Sequence, residues 1–191
     1  MEKIIPKPFF QKSALELAPQ FLGKYLVHNT PKGRLVGQIV EVEAYPAFED
    51  NVSHGNKKTK RTEVMYREGG FAYAYLVYGM HYQFAVVVNK PKIPEVVFIR
   101  GVRPVEGLDI MLANFGKLPQ KPTQLTGTPA NLCQSFGINL SHYGEPIPGP
   151  KLWLEDRGVR VNKKEIMTLP RVGIKSNLSG SESLYRFFRS G

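Results

Sequence analysis

Three strand-like runs crowd into residues 71–100, and their spacing leaves little choice of architecture. Residues 71–78 alternate large and small side chains through Tyr73, Tyr75 and Tyr78, Gly79-Met80 breaks the run, and 81–88 returns through Val86, Val87 and Val88. Residues 89–94 then turn the chain into a third run at 95–100. Parallel neighbours need a crossover of a dozen or more residues, so these short links force antiparallel pairing. Residues 35–45 form a further strand, rich in Val and Ile with period-two alternation. That alternation predicts Ile39, Glu41, Glu43 and Tyr45 on one face. Residues 46–70 lack periodicity and read as a long loop. Helical patterns frame the strands. Ser13 to Glu16 has capping-box spacing, with Pro19 inside the pattern and Gly23 at its end. A second pattern runs from about Pro104 to Gly116, and a third from Thr128-Pro129 to Gly137. With 191 residues and 42% hydrophobic content there is material for one sizeable core. The expectation is an α+β fold, residues 1–191 forming a single mixed domain around an antiparallel sheet with flanking helices.

Charge narrows the partner. Lys and Arg number 26 against 16 Asp and Glu, a formal charge of +10, which points to a polyanion such as nucleic acid or an anionic surface. Lys57, Lys58, Lys60, Arg61 and Arg67 concentrate part of it in the long loop, where they either contact phosphates or form a solvated face. The single cysteine, Cys133, excludes an intrachain disulfide and a CxxC zinc site. The four histidines show no HxxxH or HExxH spacing, so no metal is expected. Phosphate-loop, GxGxxG, GxSxG and kinase signatures are absent. With no signal-peptide pattern and only short apolar runs, the expectation is a soluble intracellular protein, cytoplasmic and nucleoid-associated or nuclear, without a membrane partner.

Two groups of side chains are chemically suggestive. Glu41 and Glu43, two apart on a strand, lie at about 7 Å, within the range of hydrolytic carboxylate pairs. By spacing alone the simpler account is the polar face of a half-buried strand. The tyrosines Tyr45, Tyr66, Tyr73, Tyr75, Tyr78 and Tyr82 either stack on bases or pack across strands. Packing is the simpler account for Tyr73 and Tyr82. Tyr78, at a hairpin tip with little core beneath it, is harder to explain that way.

These residues resemble a known family. The run Ile39-Val-Glu-Val-Glu-Ala-Tyr45, then His54, the basic stretch Thr59–Arg61, and Met65-Tyr66 resemble the alkyladenine (3-methyladenine) DNA glycosylases. The likeness continues through Tyr73-Ala-Tyr-Leu-Val-Tyr-Gly-Met80 and from Phe98 to Leu108. It recurs at Leu132–Ile138, Arg171-Val-Gly173 and Arg186-Phe187. It implies a curved antiparallel sheet with a protruding β-hairpin. The implied activity is a monofunctional DNA glycosylase of base excision repair, a monomer needing no cofactor. It would act on double-stranded DNA, flipping out damaged purines such as 3-methyladenine, 7-methylguanine and hypoxanthine and hydrolysing the N-glycosidic bond. By position, Glu43 matches the carboxylate that activates water and Arg100 the arginine that helps hold it. Tyr45, His54 and Tyr75 match residues around the flipped base. Tyr78 matches the residue that fills the gap in the duplex, with Gly79 and Met80 beside it. Lys57, Lys60 and Arg61 match the DNA-binding segment. Arg100 is further expected to keep Glu43 ionised.

The chain also departs from that pattern. Ala85 stands where the family usually has an asparagine on the pocket wall, and Gln83, two residues earlier on the same face, is the candidate to replace that amide. Glu63, Thr128 and Asn131 reduce the expected phosphate contacts. The sequence also reads as stopping short of a final segment whose backbone approaches the water. The alternatives are a non-catalytic or altered-specificity DNA-damage-binding protein and, from the carboxylate spacing alone, a carbohydrate hydrolase. The latter does not explain the charge.

Overall fold

The computed structural model describes residues 2–48, 50–121, 123–174, 178 and 180–189. Nine strands are assigned: β1 Lys3–Ile4, β2 Tyr25–Thr30, β3 Gly33–Tyr45, β4 Phe71–Val77, β5 His81–Val88, β6 Glu95–Glu106, β7 Leu152–Asp156, β8 Ile166–Leu169 and β9 Arg186–Arg189. They form one curled sheet in the order β1-β7-β2-β3-β6-β5-β4, with β9 pairing both β3 and β8. Every pairing is antiparallel. Among the described residues four α-helices accompany the sheet: α1 Ala14–Phe21, α2 Leu108–Phe115, α3 Thr123–Thr126 and α4 Pro129–Phe136. The expected α+β class and antiparallel sheet are what the structure has.

Local signals account for most boundaries. The Ser13 hydroxyl accepts from the Glu16 N–H at 3.3 Å and starts α1. The Glu16 carboxylate turns instead to Lys12 Nζ at 2.6 Å, so only half of a capping box forms. Thr128 caps α4 through the Asn131 N–H, Pro129 occupies its first turn, and Gly137 ends it with φ 67°. The second helix begins later than its sequence pattern suggests. β6 continues through Pro104 to Glu106, and α2 starts only at Leu108, after Gly107. Pro104 is tolerated there because β5 pairs β6 only as far as Phe98, leaving the far end of β6 hydrogen-bonded on one side.

The sheet separates two apolar regions. The larger core joins Leu17 and Phe21 of α1, Met111 of α2 and Phe136 of α4 to Leu35, Ile39, Val42, Ala44, Val97 and Ile99. The smaller one gathers Val64, Met65, Tyr73, Tyr75, Ala85 and Phe98, with Tyr45 beside it. The strict alternation expected for 35–45 does not hold. Pairing runs Ile39↔Val102, Glu41↔Gly101, Val42↔Ile99, with register shifts on either side of Glu41. Ile39 therefore shares the large core with Val42 and Ala44, while Glu41 and Glu43 turn to the other side. The irregularity allows one strand to be apolar on its core face throughout and still deliver two carboxylates to the opposite face.

A second buried polar contact ties β2 to the segment after α4. His28 Nδ1 donates to the Phe136 carbonyl at 2.7 Å, and its Nε2 lies 3.1 Å from Nε2 of His142. Asn139 N–H donates to His142 Nδ1 at 3.2 Å, so the pair is satisfied when both rings are neutral and His142 donates to His28. Burial lowers both pKa values below the usual histidine value of 6.5. The folded form thus binds fewer protons than the unfolded chain below about pH 6.5. Stability is expected to be full above that pH and to fall on acidification. The midpoint of urea unfolding should drop between about pH 7.5 and about pH 5, and His28→Gln should flatten that dependence.

Candidate active site

Glu43 has no solvent exposure. Its Oε1 accepts from the Val172 backbone N–H at 2.8 Å and lies 3.2 Å from Arg100 Nη1, and its Oε2 accepts from the Tyr45 hydroxyl at 2.9 Å. A carboxylate this buried is tolerable only when such donors replace water. Arg100 is itself oriented by Glu41, whose Oε1 accepts from Arg100 Nε at 2.9 Å and also faces Arg186 Nη1 of β9 at 3.4 Å. Glu41 and Glu43 therefore play unequal parts, Glu41 binding Nε from a partly exposed position and Glu43 meeting Nη1 from a fully buried one. Burial pushes the Glu43 carboxyl above its ordinary range. Arg100, then the Val172 N–H and the Tyr45 hydroxyl, pull it back, and Glu41 adds to the rise. The expectation that Arg100 holds this carboxyl down is thus outweighed by desolvation.

Tyr45, Arg100 and Val172, the partners of Glu43, line a cavity of about 350 Å³, and Glu43 itself lies behind them. Tyr45, His54, Tyr75, Ala85, Arg100 and Tyr78 all line it, so the structure gathers most of the residues singled out in the sequence around one hollow. Its walls come from alternate positions on adjacent strands. Tyr73 and Tyr75 stand on β4, Gln83 and Ala85 on β5, Phe98 and Arg100 on β6. Tyr73 and Tyr75 stack at 4.6 Å between centroids with planes 23° apart, so one face of Tyr75 is already covered. The His54 ring meets Tyr75 edge-on at 5.2 Å, and its Nδ1 lies 3.2 Å from the Tyr73 hydroxyl. Although His54 is exposed as a residue, ring burial and the nearby Arg61 lower its pKa, which keeps it neutral at physiological pH. Tyr73 both packs across the strands and borders the cavity, so the packing account covers only part of its position.

The hairpin between β4 and β5 carries Tyr78 at its tip, 88% exposed, with φ 52°. Gly79 follows at φ 71°, and the Met80 N–H closes the turn on the Val77 carbonyl at 3.2 Å. A tyrosine in the left-handed region carries local strain, here of order 1 kcal/mol, with no packing to offset it. Met80 is 69% exposed beside it. The basic loop is pinned from below. The buried Thr62 hydroxyl donates to the Lys57 carbonyl at 2.7 Å and accepts from the Thr59 N–H at 2.8 Å, leaving Lys57, Lys60 and Arg61 exposed. Lys60 and Arg61 border a second hollow behind Tyr75, with the Arg61 guanidinium 5.9 Å from that ring. Lys57 does not line either hollow. Among the described residues no cluster of three or more His, Cys, Asp or Glu side chains is placed to hold a metal ion.

A family model described as methylpurine-DNA glycosylase matches residues 8–191. The chain belongs to the methylpurine-DNA glycosylase family. It is 39% identical over 182 residues to a Natranaerobius thermophilus protein named "Putative 3-methyladenine DNA glycosylase", covering 94% of this chain and 92% of that one. A Bacillus subtilis protein of the same name is 35% identical over 189 residues, covering 98% and 93%. The protein is therefore a DNA glycosylase, a hydrolase of N-glycosyl bonds that takes DNA as its substrate. No helix among the described residues is long and apolar enough to cross a membrane.

In this glycosylase Arg171-Val-Gly173 carries part of the family resemblance, but its contact with Glu43 and with Asp50 was not legible from the sequence. A backbone segment reaches the carboxylate through the Val172 N–H. That segment is anchored by Arg171, whose side chain is fully buried and forks onto Asp50 at 2.5 and 2.9 Å. Arg171 also donates to the Ala44 and Gly180 carbonyls at 3.1 and 3.0 Å and lies over the Tyr45 ring at 4.7 Å. Asp50 and Arg171 are 121 residues apart, and neither type signals a role in its local context. Asp50→Ala would leave this guanidinium buried without its counter-charge, at a cost of about 3–5 kcal/mol. Urea unfolding should show that loss, and the variant should release base more slowly as the Val172 segment loosens from Glu43.

Proposed function

We propose that this glycosylase removes alkylated or otherwise damaged purines, with 3-methyladenine, 7-methylguanine and hypoxanthine as candidates, from double-stranded DNA. The observation that carries this reading is a solvent-free carboxylate whose partners Tyr45, Arg100 and Val172 line a tyrosine-walled cavity, bordered by an exposed tyrosine on a strained hairpin tip. The bond to be cut joins a purine to C1′ and is inaccessible inside the stacked duplex, so the nucleotide has to be swung out at a few kcal/mol. Tyr78 then occupies the vacated gap and restores part of the lost stacking. Lys57, Lys60 and Arg61 hold backbone phosphates, with Gly79 and Met80 bordering the wedge.

Within the cavity the base lies against Tyr45, Tyr75 and His54. Alkylation at N3 or N7 makes the purine cationic, and aromatic faces attract such a ring. A neutral His54 avoids repelling it. As the N-glycosidic bond lengthens, its electron pair leaves with the base, cancelling the positive charge of an alkylpurine or leaving hypoxanthine as an anion that takes a proton from water, while positive charge grows at the sugar. Glu43 faces that charge and takes a proton as water oxygen bonds to C1′. Among the described residues Oε2 accepts from Tyr45 alone, which leaves a lone pair for that water. Arg100 orients both the carboxylate and the water. A carboxyl raised by burial is a stronger proton acceptor than a free one, which suits this role.

Glu43→Gln should lower single-turnover release of 7-methylguanine by roughly 100-fold or more; wild-type rates in that variant would sink the assignment. For wild type, release of this fixed cation should decline as pH falls through the raised Glu43 pKa, because only the ionised carboxylate accepts a proton. Tyr78→Ala should weaken binding to lesion-bearing duplex by about tenfold and slow excision, as read by fluorescence anisotropy and by alkaline cleavage at abasic sites.

A further inference from the structure

We propose that Gln83 reads the six-position of the bound purine, donating its amide N–H to an oxygen there, so that the pocket favours 6-oxo over 6-amino purines. This deepens the function proposed above and rests on it. The inference begins from which polar groups in the cavity are already engaged. The Tyr45 hydroxyl donates to Glu43, and Arg100 is held between Glu41 and Glu43. The Tyr73 hydroxyl pairs with His54 Nδ1. The Tyr75 hydroxyl donates to Gln83 Oε1 at 2.8 Å. That last contact turns the carbonyl end of the amide toward Tyr75 and leaves the NH₂ end facing elsewhere. No described residue accepts from Gln83 Nε2. Gln83 lines the cavity, so it brings a clamped, unpartnered donor to the pocket wall.

Its place in the sheet says what that donor meets. Glu43 is on β3 and Gln83 on β5, with β6 between them. Two strand spacings are about 10 Å; a purine with one hydrogen bond at its six-position spans about 7.5 Å of that from its glycosidic nitrogen, and the Gln83 side chain covers the rest. A base with its sugar bond over Glu43 therefore crosses β6, above Phe98, and turns its far edge to β5. The register puts Ala85 directly across Phe98 from Glu43, where it offers only a methyl group, and Gln83 is the next cavity-facing residue along β5 toward the hairpin tip. His54, the other side chain with a ring nitrogen to spare, comes from the loop after β3 rather than from the sheet. Gln83 is thus the polar reader on the wall where the far edge of the base arrives. A 6-oxo group, as in hypoxanthine or 7-methylguanine, accepts from Nε2. A 6-amino group, as in 3-methyladenine, sets donor against donor and leaves both desolvated without a bond.

The test is single-turnover release of hypoxanthine, 7-methylguanine and 3-methyladenine from duplex DNA by the full chain. Gln83→Ala should lower the ratio of hypoxanthine to 3-methyladenine release by about 10- to 100-fold. Gln83→Glu keeps the shape and the Tyr75 contact but replaces the donor with an acceptor, and should lower the ratio further. Tyr75→Phe, which unclamps the amide, should shift it in the same direction by a smaller factor. Should Gln83→Ala and Gln83→Glu slow all three bases equally, the reader role is overturned and Gln83 is a packing residue, while the glycosylase reading stands. Should wild type bind lesion DNA yet release none of the three, the proposed substrates fail and this inference falls with them.

Discussion

Burying one carboxylate imposes conditions that much of the sheet has to meet. Glu43 sits without solvent on a strand whose other face belongs to the main core. Left without donors, such a group would cost several kcal/mol or remain permanently protonated. Its donors come from three places far apart in sequence: Tyr45 from the same strand, Arg100 from β6 and the Val172 N–H from a loop near the C-terminal end. Each is fixed in turn. Glu41 holds Arg100, and the buried Asp50–Arg171 pair holds the segment carrying Val172. The register shift at Glu41 turns both acids away from the core. Stability and site geometry are therefore coupled: the interactions that make a buried acid tolerable also define the floor of the cavity.

The two faces of the sheet divide the work. One is closed by helices and packed with aliphatic and phenylalanine side chains. The other is left concave and lined by tyrosines, with their hydroxyls bonded to Glu43, His54 and Gln83 rather than to water. Those bonds set ring orientations, and burial keeps the hydroxyls of Tyr45 and Tyr75 protonated. At the rim the logic reverses. Tyr78 has neither packing nor a relaxed backbone, and its conformation is stabilised by the β4–β5 ladder beneath it. A large aromatic side chain in that position makes sense for a protein whose substrate is a stack of bases.

Much of this was open to sequence reasoning where the signals are local. The hairpin at 71–88 and its tip, the cap at Thr128-Pro129 and the long basic loop follow from turn residues, alternation and link length. The start of α2 was misplaced because its helical pattern was read from about Pro104, while the one-sided pairing that keeps Pro104 in β6 is not written in the sequence. The faces of 35–45 were misassigned before Glu41 because strict alternation cannot register an irregularity. Among the site residues, Glu43, Arg100, Tyr45, His54, Tyr75 and Tyr78 were reached through resemblance to a family rather than through spacing. Spacing alone treated Glu41 and Glu43 as equals, whereas the structure separates them by burial and by their contacts with Arg100.

The sequence by itself determined the antiparallel sheet, the exposed tyrosine between two strands and the cationic character, because each depends on short separations or on summed composition. Only the tertiary structure decided which acid is sealed from water, how its pKa moves, and that Asp50, Arg171 and Val172 support it. Desolvation and ion pairing depend on distances through space, and residues 121 positions apart meet only after the sheet has curled.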